Sequence, residues 1–255
     1  MSLERERRGK VEILRLHRPE ARNAIDPATA RAIEAALDEV EADPGVWCAV
    51  ITATGPVFCA GADLKVIAGG GGADIMTERG GFAGLAWRDL TKPVIAAVNG
   101  PAVAGGFEIV LACDLVVAAD TAVFGLPEVK RGLLASAGGP IRLAQRVPLA
   151  VALELALLGE PISAARALDL GLVNRVVPAD RVLDEALALA DLLVANSPAA
   201  VRGARALVLG AADTDQAGAW ALNRQIMREV AASPDGIEGA SAFIEKRDPV
   251  WADPT

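Results

Sequence analysis

Two glutamates stand where acid–base chemistry could be built. Glu108 ends the segment Asn99-Gly100-Pro101-Ala102-Val103-Ala104-Gly105-Gly106-Phe107-Glu108. Glu128 lies in Phe124-Gly125-Leu126-Pro127-Glu128-Val129-Lys130-Arg131-Gly132. In the first segment an apolar run meets two glycines and a helix begins. N–H groups at a helix start lack partners and carry partial positive charge, so a developing oxyanion would be stabilised there. Glu108 falls in the first helical turn, among Phe107, Ile109, Val110 and Leu111. A carboxyl in such surroundings ionises less readily, which suits proton transfer. A carboxylate that only complements the helix dipole is the competing reading, and this segment alone leaves both open. A turn bracketed by Pro and Gly presents Glu128; taken alone, a surface pair with Arg131 explains it. A third segment, Phe58-Cys59-Ala60-Gly61-Ala62-Asp63-Leu64-Lys65, puts small residues where a backbone N–H could approach a ligand. By itself it reads as a tight structural loop.

The composition narrows the chemistry. The chain has one histidine, His17, and no tyrosine. A His-based nucleophile triad could use only His17, which has no plausible partner, and a His-rich metal site is excluded. Acid–base work falls to carboxylates, Lys or Cys. The three cysteines, Cys48, Cys59 and Cys113, match no zinc or redox spacing and read as reduced, mostly buried thiols. Gly138-Gly139 is not part of a G-x-G-x-x-G pattern, which disfavours a dinucleotide fold. A net charge of −8 opposes nucleic acid, so an anionic ligand would need local Lys or Arg. The richest apolar stretch, 94–107, is interrupted by Asn99, Pro101 and glycines, and no apolar segment follows the basic MSLERERRGK start. Neither a membrane span nor a secretory leader is expected, and the protein is expected to be cytoplasmic.

The elements that must position these residues follow from periodicity. Strands are expected at 11–16, 46–52, 92–98, 115–118, 122–124 and 172–177, and a buried helix over 107–113. Asp26-Pro27 reads as an N-cap with proline at the first helical position, ahead of Ala30, Ile33, Leu37 and Val40 at helical spacing. Ser163, Ser197 and Ser233 read as further N-caps. Residues 69–81 are Gly-rich and expected to be flexible. Alternating strands and helices predict an α/β core over residues 1–196, with a helical region over 197–255.

Taken in order, these segments resemble the enoyl-CoA hydratase/isomerase family, the crotonase superfamily. The resemblance runs over nearly the whole chain, from LHRPEARNAID to EGASAFIEKRDP. Within the family, GGFAGL, KPVIAAVNG, GGFEI and EKRDPVW are most similar to carnitinyl-CoA dehydratases. The resemblance implies a ClpP/crotonase spiral of ββα units with a C-terminal helical trimerisation region. It implies a homotrimer or a dimer of trimers, an acyl-CoA substrate, and no cofactor or metal. Backbone N–H groups of Ala62 and Gly105 would form an oxyanion hole, and Glu108 and Glu128 would be the catalytic pair. Ala60, Asp63, Leu64, Lys65 and Arg22 would lie near CoA. Phe243 and Lys246 would help form the adenine pocket, often from a neighbouring subunit; two of the five lysines thus fall on such positions. His17 stands where the family often has Asn and reads as structural. Ala104 replaces the first glycine of the usual GGG run and Pro101 a common aromatic, changes that would reshape the acyl pocket.

Isomerisation can run with one carboxylate, so the retention of two favours an enoyl-CoA hydratase. The alternatives are a carnitinyl-CoA dehydratase, with Trp87 and Phe82 as aromatic faces for a quaternary ammonium, an enoyl-CoA isomerase, or a catalytically silent assembly protein. A ClpP-type peptidase would need a Ser-His-Asp set, and the RNA binding known for one relative is opposed by the charge.

Overall fold

The computed structural model describes residues 2–253. Eleven strands are present: Leu3–Arg8 (β1), Val11–Leu16 (β2), Cys48–Ala53 (β3), Met76–Thr77 (β4), Gly81–Phe82 (β5), Val94–Val98 (β6), Ala102–Val103 (β7), Leu115–Ala119 (β8), Val123–Gly125 (β9), Ile162–Ser163 (β10) and Arg175–Val177 (β11). The helices are Pro27–Ala42 (α1), Leu64–Ala68 (α2), Gly105–Ala112 (α3), Gly139–Arg146 (α4), Leu149–Leu158 (α5), Ala164–Asp169 (α6), Val182–Val194 (α7), Pro198–Ala212 (α8), Gln216–Ala232 (α9) and Pro234–Glu245 (α10).

The main sheet has the order β1-β2-β3-β6-β8-β11, with β1 antiparallel and every other pair parallel. Strands β3 and β6 are buried along their whole length, as continuous apolar runs covered on both faces should be. A second, small sheet has the order β10-β9-β7, and Cys59 joins it through a parallel bridge to Ala102. The two sheets advance together. After β3 the chain passes Cys59 and enters α2; after β6 it forms β7 and enters α3; after β8 it forms β9 and then α4 and α5. Each turn is a strand for each sheet and then a helix, which is the spiral of ββα units expected.

Local chemistry sets the ends of these elements. Asp26 caps α1, accepting from Thr29 N at 2.7 Å, with Pro27 behind it. The side chain of Lys92, 1% exposed, reaches the other end of α1 and donates to Val40 O and Asp43 O at 2.6 and 2.7 Å. This and the missing N–H of Pro93 start β6 at Val94 rather than at residue 92. Strand β11 likewise begins at Arg175, later than the apolar pattern predicts. Leu172 and Val173 are buried in the turn that closes α6, where Leu172 N donates to Ala167 O. Strand β1 was not legible in the sequence. Its LERERR run buries only Leu3 and forms as a charged edge against β2, with Arg5 paired to Glu12 at 2.8 Å.

The Gly-rich stretch, expected to be flexible, follows α2 and folds into a 3-10 turn at Gly72–Ile75 and the β4–β5 hairpin. Glu34 of α1 holds it, accepting from Thr77 Oγ1 at 2.5 Å and Gly80 N at 2.8 Å. Beyond Val177 the described residues contain only helices and turns. Ser197 and Ser233 cap α8 and α10, as Ser163 caps α6. Arg205 of α8 ties this layer to the core through Asp114 at 2.9 Å. Its outer surface carries exposed apolar side chains: Val208, Trp220, Ile237 and Phe243 are 73, 58, 64 and 86% exposed.

Candidate active site

Parallel pairing in the small sheet brings the three sequence segments to one edge. Ala102 of β7 faces Phe124 of β9, and Val103 faces Gly125. Parallel strands end on the same side, so the start of α3 and the turn carrying Glu128 emerge together. Ala104 N donates to Gly125 O at 2.9 Å across that edge. The Cys59–Ala102 bridge adds Ala60, Gly61 and Ala62 on the other flank. A cavity of about 430 Å³ opens there, lined by residues that include Ala60, Ala62, Leu64, Ala104, Gly105, Glu108 and Glu128.

The entry to α3 is tightly constrained. A Cβ on Gly105 would lie 2.4 Å from the Phe82 ring, and one on Gly106 would lie 2.1 Å from Cys59 O. Both positions therefore need glycine. Ala104, the N-cap, adopts φ 54° and ψ −132°, backbone that favours glycine. Among the described residues, the amides of Ala62 and Gly105 donate to no protein acceptor. Gly61, beside Ala62, touches the Gly105 amide: a Cβ there would be 2.9 Å from Gly105 N. Both Ala62 and Gly105 line the cavity.

The two carboxyls are differently held. Glu108 is 3% exposed, and its Oε1 accepts from Ala137 N at 2.8 Å and Gly139 N at 2.9 Å. Desolvation raises its pKa, against those two N–H groups and the Arg142 charge, which lower it. Glu128 sits in a 3-10 turn, Pro127–Arg131, closed by left-handed Gly132. Its Oε2 is buried without a hydrogen-bond partner. Desolvation and the nearby Glu108 charge push Glu128 up to about 7, against its own backbone N–H. The surface pair with Arg131 does not form; the neighbouring Lys130 pairs with Glu160 at 2.6 Å. Both carboxyls are thus raised by burial, and Glu108 has two N–H donors and a guanidinium charge that Glu128 lacks.

The remaining candidates are scattered around this centre. Leu64 lines the cavity mouth, and Lys65 is exposed on α2. The Asp63 carboxylate caps α2 at Lys65 N and pairs with Arg18 at 3.2 Å. Arg22 is exposed, and its carbonyl anchors Ala60 N at 3.1 Å. Phe243 and Lys246 lie at the end of α10 and do not line this cavity. His17 bonds Thr54 Oγ1 at 3.1 Å and stands 3.3 Å from Glu4, a structural setting. All three cysteines are free and buried. Of the two aromatics proposed for a cation, Phe82 lines the cavity, packed on Gly105, whereas Trp87 is 57% exposed and stacks over Gly81.

Sequence reasoning missed the groups that hold Glu108. The Gly138-Gly139 pair, weighed only as a failed nucleotide motif, marks the turn whose N–H groups grip the carboxylate. It also missed Leu133 and Leu134, exposed apolar residues that line the cavity beyond the turn. Among the described residues no cluster of three His, Cys, Asp or Glu could hold a metal, and no helix is long and apolar enough to cross a membrane.

The enoyl-CoA hydratase/isomerase family profile matches residues 6–254. An enoyl-CoA hydratase of Mycobacterium tuberculosis is 40% identical, over 96% of this chain and 94% of its own. A carnitinyl-CoA dehydratase of Salmonella enteritidis is 41% identical, over 98% of both chains. The crystal structure of an enoyl-CoA hydratase from Mycobacterium tuberculosis superposes with a TM-score of 0.95 at 42% identity, covering 99% of each chain.

Proposed function

We propose, for a chain that belongs to the enoyl-CoA hydratase/isomerase family and is an enzyme of that family, reversible hydration of an uncharged 2-enoyl-CoA thioester by a two-glutamate mechanism. The observation that carries this reading is a pair of unlike carboxyls, one gripped by N–H groups and one with an unpartnered oxygen, in one cavity with Ala62 and Gly105, whose amides donate to no protein acceptor.

The thioester carbonyl accepts from Ala62 N and Gly105 N, which stabilise the negative charge that develops on its oxygen as the β-carbon is attacked. Loss of one such donor typically costs about 3 kcal/mol. Glu108, ionised, takes a proton from water, and the hydroxyl oxygen bonds to the β-carbon. Glu128, protonated, delivers its proton to the α-carbon. The product is neutral overall; Glu108 ends protonated and Glu128 ionised, and proton exchange with solvent restores the pair. The step needs one carboxyl of each kind, which the environments above supply. CoA would extend past α2 and Lys65, with Phe243 and Lys246 of an adjacent subunit at the adenine.

Carnitinyl-CoA dehydration is the second reading, since relatives of both names are about equally identical. The cavity lining favours an uncharged acyl group. It carries Lys130 and Arg131 and one aromatic, Phe82, and its only carboxyls are the two glutamates. A quaternary ammonium would find no acidic partner there besides the two glutamates of the proposed mechanism. The deciding experiment is a spectrophotometric panel of enoyl-CoAs, from crotonyl to long chain, with crotonobetainyl-CoA included. Turnover of uncharged enoyl-CoAs well above crotonobetainyl-CoA is expected; the reverse preference refutes the choice, and no hydration of any refutes the reading.

A further inference from the structure

Arg142 is largely buried on α4 and is not among the residues that line the cavity. Its guanidinium donates to two carbonyls, Nη2 to Ala86 O at 2.5 Å and Nη1 to Ala137 O at 3.1 Å. Ala137 is also the residue whose N–H holds Glu108, and Gly139, which supplies the second N–H, begins the helix that carries Arg142. Gly138 between them has φ 100°, and a Cβ there would strike Arg142 Nη1 at 2.3 Å. The turn is therefore folded directly onto the guanidinium. The other end of the clamp, Ala86, follows the β5 segment whose Phe82 packs on Gly105.

From these contacts we infer that Arg142 is a positioning residue for Glu108: its fork pins the Ala137–Gly139 turn and the Phe82 segment together, and so sets both the carboxylate and the wall beside the free Gly105 amide. The inference rests on the hydratase reading for its catalytic consequence, though not for its geometry. A planar, permanently charged fork suits a task of two carbonyls, and Lys would serve it less well. The charge adds a second effect, because it favours ionised Glu108. The cavity lining adds Glu128, Lys130 and Arg131 of the 3-10 turn, while Arg146 farther along α4 and the Cys113 thiol just past α3, which burial keeps neutral, bear on the Arg142 guanidinium. Arg142 alone among the cations bears on Glu108 directly.

Arg142→Met and Arg142→Lys are compared with the parent in two assays: kcat and KM for crotonyl-CoA across pH, and 13C NMR titration of the Glu108 and Glu128 carboxyls without substrate. Arg142→Met is expected to lower kcat by about 10- to 100-fold, the scale of a small misplacement, with KM changed by no more than about threefold. The acidic limb of the rate profile and the Glu108 midpoint both move to higher pH. Arg142→Lys restores the limb and the midpoint but only part of kcat. A Met variant that is merely less heat-stable, with limb and midpoint unmoved, overturns the inference. So does a Lys variant with the parent kcat, a comparison that still decides if Arg142→Met does not fold. A parent chain inactive on crotonyl-CoA would count against the hydratase reading instead, and the NMR midpoints would then decide the positioning role alone.

Discussion

Glu128→Gln separates what the buried carboxyl does for chemistry from what it costs the fold. The parent side chain, half-buried with an unpartnered Oε2, is pushed from an ordinary 4.5 to about 7. A folded-state pKa above the unfolded one means that the folded chain holds the extra proton between about pH 4.5 and 7. Stability is then fully present at low pH and falls as pH rises through that window. A displacement from 4.5 to about 7 corresponds to about 3 kcal/mol, and solvent reaching the half-buried side chain trims this to about 2 kcal/mol. Glutamine has the same shape and never ionises. Relative to the parent, Glu128→Gln should therefore gain about 2 kcal/mol between pH 4 and 8, or about 4–8 °C in Tm for a chain of this size. Hydration should meanwhile fall by about 10²-fold or more. Differential scanning calorimetry of both proteins across this pH range reads the effect. A Tm difference that stays constant with pH, or a parent that gains on the variant as pH rises, refutes the claim that desolvation holds Glu128 protonated.

Glu108→Gln should also lower kcat by about 10²-fold or more while leaving CoA-ester affinity little changed, because the carboxylate acts in the transition state; steady-state kinetics with binding calorimetry checks this. Ala104→Gly should raise stability by about 1 kcal/mol, since glycine relieves backbone strain of about 1–3 kcal/mol and returns part of it as unfolded-state entropy; thermal unfolding measures it. Lys246→Glu should weaken CoA esters, more so at low salt, while sparing a short pantetheine thioester. Sedimentation equilibrium tests the accompanying trimer, and equal losses on both substrates, or a fully active monomer, would refute a nucleotide pocket at a subunit boundary.

The fold was legible where burial leaves a one-dimensional trace. Strands β3 and β6 read as continuous apolar runs because both faces are covered, and the N-caps at Asp26, Ser163, Ser197 and Ser233 read because capping is local. Strand β1 left no such trace: its pairing to β2 is made by backbone groups, and its side chains, Leu3 apart, face solvent. The Gly-rich stretch misled for a related reason. Its order comes from Glu34, forty-three residues before Thr77 in the chain, so composition reported the freedom of the backbone and not the anchor that removes it.

The same division separates the two glutamates. From the sequence Glu108 reads as a carboxyl among apolar residues in a helix's first turn, and Glu128, taken alone, as a surface partner of Arg131. What makes them chemically unlike is which backbone amides reach them. Glu108 is met by the Ala137 and Gly139 amides, delivered by a turn about thirty residues farther along the chain and fixed from behind by Arg142. Glu128 is met by no comparable donors at Oε2 and feels the Glu108 charge. Ionising either carboxyl raises the cost of ionising the other, so any preference between them comes from the unequal donors and not from their repulsion. The family resemblance could indicate both positions, but not the unlike surroundings of the two carboxyls. That asymmetry arises only when β7 and β9 pair in parallel and the Gly138 turn closes on Arg142. A change to that turn should thus alter proton distribution without touching either glutamate.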